Sequence, residues 1–208
     1  MHIVDGVLSP EILIAGGVVS TLFVAIGLKQ LTPEKTPQAA LFCAVFFVAS
    51  LIHLPAFLTA SSVHLILSGL MGITLGWAVF PAVAIAILLQ AVFFGYGGIL
   101  VLGVNVFNIA FPALLVGLAF RKFALNKGLT AKMLAIIGGL GGGVSIIMSG
   151  CLVASALSMS GESFQLAAKL VLITNVPVAI VEAFVSGFAV YFLMKAKPDF
   201  FVSVMQYR

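Results

Sequence analysis

Apolar residues run through this chain in long blocks, with neither the two-residue alternation of a half-buried strand nor the broad polar face of a surface helix. Charged residues gather in the breaks between blocks. A transmembrane helix needs about 20 mainly apolar residues, and seven blocks approach that length. They place helices at 11–28, 38–53, 60–76, 78–94, 105–120, 134–157 and 166–194. Ser9-Pro10 starts the first, with proline at the favoured first turn, and Leu54-Pro55 stops the second. Lys29 to Pro37, Gly95-Tyr96-Gly97-Gly98, the basic stretch Arg121–Lys132 and Ser158–Ser163 read as loops. The expected fold is an all-α integral membrane protein of seven transmembrane helices in one membrane domain. Residues 1–10 form an N-terminal loop, 11–194 the bundle and 195–208 a tail.

Composition agrees with this picture, since 62% of the 208 residues are hydrophobic and 8% are charged. No signal peptide is expected, because the first residues carry neither Lys nor Arg and no cleavage site follows. Seven spans put the termini on opposite faces. One set of loops and the tail carries Lys29, Lys35, Arg121, Lys122, Lys127, Lys132, Lys195, Lys197 and Arg208, and the other set carries Lys169. By the positive-inside rule the N-terminus is external and the C-terminus cytoplasmic. The net charge of +4 is thereby explained by topology, and no nucleic-acid partner is expected. Cys43 and Cys151 fall inside spans without a CxxC or Cys/His cluster, so both read as small buried apolar side chains. Gly72 with Gly76, Gly138 with Gly142, and Gly139 with Gly143 suit close helix packing, as does a Gly17, Thr21, Ala25 stripe on the first helix. No G-x-x-x-x-G-K-[ST] occurs, so no P-loop ATP site lies in this chain.

The candidate chemistry starts at residue one. His2 is bulky, so the initiator methionine is expected to stay and the chain to begin Met1-His2-Ile3-Val4-Asp5-Gly6. The Met1 α-amine, the His2 amide nitrogen and the His2 imidazole lie in series. Deprotonated around one ion, they close two fused chelate rings, and a further imidazole completes a square-planar nitrogen set suited to Ni(II) or Cu(II). The topology puts all three histidines at the outer face. His64 is the favoured fourth ligand, expected in the first turns of the third helix beside the Ser61 and Ser62 hydroxyls. His53, beside Leu54-Pro55, is expected to be an interfacial side chain. Asp5 would cap the Asp5-Gly6 turn or hold the terminal amine, ahead of a third alternative in which it ligates the metal directly. Asn105 would cap the fifth helix, hold the N-terminal loop over the site, or do both. Gln90 and Glu182 are polar positions inside spans, where such residues usually face an interior. Glu182 could be structural, bond Gln90 across helices, or serve metal transit. The scattered methionines Met71, Met133, Met148 and Met159 form no thioether ladder for Cu(I).

Met1 through Pro10, Ser62-Val63-His64, Gln90 and Gly103-Val104-Asn105-Val106-Phe107-Asn108 resemble the substrate-capture component of energy-coupling-factor nickel/cobalt importers, of the CbiM/NikM type. The resemblance covers nearly the whole chain. It implies seven helices with an external N-terminus in a prokaryotic cell (inner) membrane, and a square-planar site of Met1 amine, His2 amide and ring, and a second histidine aligned with His64. It also implies a transmembrane coupling subunit, two cytoplasmic ATPase subunits and often a small accessory membrane protein. Cobalt-type relatives tend to show Ser-His-Pro-Thr-Gly around the second histidine. Here Val63-His64-Leu65-Ile66-Leu67 departs from it, which leans the cargo from Co(II) towards Ni(II).

The expected function is therefore capture of a divalent transition metal, Ni(II) ahead of Co(II), as transported substrate, with no catalytic residues and no organic cofactor. Three competing readings remain: a cobalt importer subunit serving cobalamin synthesis, a self-sufficient metal permease, and an intramembrane hydrolase using Ser145 or Ser149.

Overall fold

The structure, a computed structural model, describes residues 2–51, 53–55, 62–124 and 129–196, with 53–55 and 62–64 described by their backbone alone. The Met1 amine, the Ser62, His53 and His64 side chains, Lys127 and the tail from 197 onward lie outside that description. The elements are α1 (Pro10–Lys29), α2 (Thr36–Ala49), β1 (His53–Pro55), β2 (Ser62–His64), α3 (Ser68–Leu75), a 3-10 turn (Gly76–Ala78), α4 (Val79–Phe94), α5 (Leu102–Ala124), α6 (Ala131–Met159), a second 3-10 turn (Glu162–Phe164) and α7 (Gln165–Ala196). Pro10 occupies the first turn of α1 as expected.

Among the described residues, five runs are long and apolar enough to cross a membrane: Pro10–Lys29, Ser68–Phe94, Leu102–Ala124, Ala131–Met159 and Glu162–Ala196. Thr36–Ala49 is apolar but shorter. The chain is a multi-pass membrane protein.

Two expected spans are corrected. The second helix ends at Ala49 rather than His53. The third does not start near residue 60: that stretch holds β1 and β2, paired antiparallel with His53 opposite His64 and Leu54 opposite Val63. Only Ser68–Leu75 is helical there. Eight residues rise about 12 Å, well short of the roughly 30 Å hydrocarbon core.

Although Ser68–Phe94 is apolar throughout, the chain reverses inside it. Gly76 takes φ 58°, ψ −128°, which ends α3. A methyl there would also lie 2.7 Å from the Arg121 guanidinium at the far end of α5, so Gly76 serves a turn and not the helix packing expected of it. Before the turn, Gly72 is pressed against the Ala113 backbone and Gly117 against the Gly72 carbonyl, so α3 runs alongside α5. After it, α4 returns towards the start of α5.

Small residues set the remaining contacts. A methyl on Gly139 would come within 2.7 Å of the Ala183 carbonyl, and one on Gly143 within 3.0 Å of the Ala179 carbonyl, so α6 and α7 meet backbone to backbone. On α1 the contact line is Gly16, Gly17, Ser20 and Gly27, so Gly17 packs against Gly103 as expected, whereas Thr21 and Ala25 of the expected stripe are exposed. Phe23 of α1 packs edge-on against Trp77 and Phe80 at ring separations of 5.5 and 5.0 Å, and beside Phe107 and Phe111, joining α1, α4 and α5. Cys43 is buried, but Cys151 is exposed on the outside of the bundle.

These contacts sort the connections into two ends. The N-terminal segment, the 95–101 loop and the α6–α7 turn meet at one end, through Asp5 with Ile99 and Val101 and through Ser9 with Ser160. Lys35 and Arg121 meet at the other. There, burial first and the Arg121 charge second hold the Lys35 pKa below its ordinary value.

Candidate metal centre

Residues 2–8 are built into the bundle. Ile3 and Leu8 are buried in a cluster with Val101 and Val104 at the start of α5, Val153, Ala154 and Leu157 near the end of α6, and Ala168 of α7. Burying two such side chains contributes about 1.5–3 kcal/mol each. Asn105 clamps the backbone of Ile3 from both sides. Its Oδ1 accepts the Ile3 N–H at 3.0 Å, and its Nδ2 donates to the Ile3 carbonyl at 2.9 Å. A carboxamide is the side chain that satisfies a peptide N–H and C=O at once.

Asp5 makes the second fastening. Its two oxygens accept the backbone N–H groups of Ile99 at 3.1 Å and Val101 at 3.0 Å. Gly98 packs directly against this carboxylate, leaving no room for a Cβ. Ser9 adds a third fastening, donating its N–H to the Ser160 hydroxyl at 3.3 Å. Asp5 thus ties the N-terminal segment to the 95–101 loop, which is more than capping its own turn.

His2 is carried by this arm. A methyl on Gly97 would stand 3.4 Å from His2 Cβ and 3.0 Å from Asn105 Nδ2, so a glycine is needed for the loop to close over the arm. Gly97 also takes φ 78°, which favours glycine independently. Both imidazole nitrogens of His2 are shut off from bulk solvent.

The second arm is the β1–β2 hairpin. Its register puts the His53 and His64 backbones directly opposite each other, so His64 lies in a strand and not in a helical turn. The hairpin is anchored at both stems. On the α2 side, the Ser50 hydroxyl accepts from Gln90 Nε2 of α4 at 2.8 Å. On the α3 side, Glu182 Oε2 of α7 accepts the Ile66 N–H at 3.3 Å. Gln90 and Glu182 therefore hold the two stems of one hairpin and do not bond each other. Asn105 is not a helix cap either: α5 starts at Leu102, and the Asn105 side chain is spent on Ile3. Ser145 shares a buried 2.8 Å hydrogen bond with Ser68 inside the bundle. Among the described residues, no group of three or more His, Cys, Asp or Glu side chains is placed to hold a metal.

Sequence reasoning singled out Asp5, Asn105, Gln90 and Glu182 but missed Gly97, Gly98, Ser50, Ile66 and Ser160. The Gly-Tyr-Gly-Gly run was the one visible signal, and it read only as a loop.

Residues 2–200 match the family described as CbiM, cobalt uptake substrate-specific transmembrane region. A Haemophilus influenzae protein provisionally named a metal transport protein is 40% identical over 96% of both chains. The cobalt transport protein CbiM of Clostridioides difficile is 31% identical over 88% of this chain and 77% of its own. A fused nickel transport protein NikMN of Rhodobacter capsulatus is 35% identical over 53% of this chain and 33% of its own. Two crystal structures have the same fold. A transition metal transporter gives a TM-score of 0.79 at 28% identity, covering 94% of this chain and 93% of that one. A truncated transition metal transporter gives 0.77 at 26% identity, covering 94% and 99%.

Proposed function

Because the chain belongs to the CbiM family of metal-transport components, which are not enzymes, we propose that it is the metal-binding membrane subunit of an ATP-driven energy-coupling-factor importer. It captures Ni(II) in preference to Co(II), in a square-planar set of Met1 amine, His2 amide and imidazole, and the His64 imidazole. The observation that carries this reading is the docking of the N-terminal segment. An idle terminus has no reason to be clamped at Ile3 by Asn105 and at Asp5 by two loop amides. This clamping fixes the backbone beside the amide that would become a ligand. Deprotonating that amide is costly, and preorganising the chelate lowers the ordering entropy that binding would otherwise carry.

The chain crosses the membrane seven times, the β1–β2 hairpin and α3 sharing one crossing. This puts the N-terminus outside and the C-terminus in the cytoplasm. Support comes from the basic residues Lys35 and Arg121 meeting at one end of the bundle while the N-terminal segment lies at the other. With no P-loop in the chain, the driving force comes from partners: a transmembrane coupling subunit, two cytoplasmic ATPase subunits and a small accessory membrane protein.

The test uses the chain with its native first residue and equilibrium dialysis against nickel. His2→Ala, or one residue added ahead of Met1, abolishes tight binding, and undiminished binding ends the chelate reading. His64→Ala lowers affinity while His53→Ala leaves it near that of the unchanged chain; the reverse would hand the fourth position to His53. The second cargo reading is cobalt, favoured by the family description and by the C. difficile relative. Competition dialysis decides it: preference for Co(II) over Ni(II) overturns the nickel assignment alone.

A further inference from the structure

Glu182 is fully buried in α7, on the face that also buries Asn175, Ala179 and Ser186. Its partners are not side chains. Oε2 accepts the Ile66 N–H at 3.3 Å, and the Leu67 backbone lies beside the same carboxylate. Leu67 has φ 55° and offers α3 no side-chain cap. The carboxylate therefore holds the backbone just ahead of α3 from a different helix, near the helix end where negative charge is favoured. The junction is rigid on its other sides. Ser68 bonds Ser145 of α6, and a methyl on Gly69 would sit 2.5 Å from the Gly142 Cα.

This junction is the root of the strand that carries His64. One residue, Leu65, separates His64 from Ile66, so the anchored nitrogen lies within about 7 Å of the His64 Cα by chain length alone. The other arm of the site, bearing His2, is fastened to α5 through Asn105 and to the α4–α5 loop through Asp5. Glu182 thus adds an α7 tether to the hairpin arm, which α4 and α6 also hold, while the arm bearing His2 is fastened to α5 and the loop before it.

Building on the proposed metal site, we propose that Glu182 is its positioning residue for the fourth ligand. The carboxylate holds the Ile66–Leu67 backbone so that the His64 imidazole closes the square that the terminal chelate opens. A shift of α7 against α5 would withdraw that imidazole while leaving the three terminal nitrogens together. The position of α7 thereby sets how tightly cargo is held.

The experiment compares the full chain with Glu182→Ala and Glu182→Gln. The readouts are nickel affinity by equilibrium dialysis and the visible d–d absorption of the bound Ni(II), which reports the fourth donor. Glu182→Ala is expected to weaken binding at least tenfold and to shift the absorption to that of His64→Ala. Glu182→Gln keeps an oxygen acceptor for Ile66 and should stay within threefold with an unchanged spectrum. Wild-type affinity and spectrum in Glu182→Ala overturn the proposal. So does equal weakening in both variants with the spectrum unchanged, which is the mark of a general loss of stability.

If Glu182→Ala does not fold, hydrogen exchange at the Ile66 amide replaces it. In the metal-free chain this amide must be protected, and Glu182→Gln must not expose it; rapid exchange in the unchanged chain overturns the tether. Nickel binding that depends on His2 and His64 but ignores Glu182 sinks this inference alone. Binding that ignores His2 sinks the site, and this inference with it.

Discussion

Replacing Asn105 by Ala removes both hydrogen bonds that hold Ile3 and leaves an N–H and a carbonyl unpaired on a residue 5% exposed. Each unsatisfied buried group costs about 1–3 kcal/mol, and water entering the space left by the carboxamide moderates the sum to about 2–3 kcal/mol. Ordering the backbone of a terminal segment costs about 1–2 kcal/mol per residue, so the arm is held by a small surplus and cannot absorb that loss. The docked fraction falls, and apparent affinity falls in proportion. The expected result is a dissociation constant for nickel about 30- to 150-fold higher in Asn105→Ala, by equilibrium dialysis at neutral pH. The helical circular dichroism should not change, because Asn105 spends its side chain on the arm. Asn105→Asp should be at least as weak, since its second oxygen would face the Ile3 carbonyl oxygen. An affinity within threefold of the unchanged chain in Asn105→Ala would refute the docked-arm argument.

Three other outcomes follow from the geometry. Gly98→Ala pushes a methyl into the Asp5 carboxylate and should weaken nickel binding about tenfold or more, as should Asp5→Ala; in a double-mutant cycle the two should fall well short of additive, and full additivity would deny that they share one contact. Capture requires the amine, the His2 amide and both imidazoles to lose their protons, and the metal must displace the amide proton at every accessible pH, so affinity falls continuously as pH falls. Dialysis between pH 8 and 6 should show at least a tenfold loss per unit, and a flat profile would contradict a nitrogen site. Gly139→Leu forces α6 and α7 apart at the Ala183 carbonyl and should prevent a monodisperse, thermally stable preparation in detergent, whereas Leu140→Ala, 63% exposed on the outside of the bundle, should melt as the unchanged chain does.

Much of the candidate site is legible because it depends on position along the chain. The serial donors Met1 and His2 need no tertiary partner to be recognised, and Asn105, Gln90, Asp5 and Glu182 stand out as polar groups among apolar ones. What each would bond was not legible. Asn105 looks like a helix cap because a polar residue near the start of an apolar run commonly is one, yet its side chain is claimed by Ile3, 102 positions away. Cys151 and the α1 stripe went astray for a different reason. In a membrane the outward face of a helix is as apolar as the inward one, so composition does not say which side packs.

Hydrophobic length and the short charged breaks determine, without reference to any contact, that this chain lives in a membrane and where most of its helices run. The stretch from 50 to 67 is the exception. Its Leu-, Val- and Ile-rich sequence suits a buried helix and a strand equally well, and local preference cannot separate them. Contacts from distant residues settle it: Gln90 holds Ser50, Glu182 takes the Ile66 amide, and Gly72 and Gly117 let α3 lie close beside α5. Backbone groups in an apolar medium must find partners, and here those partners lie as far as 116 residues away along the chain. Only the folded bundle brings them together.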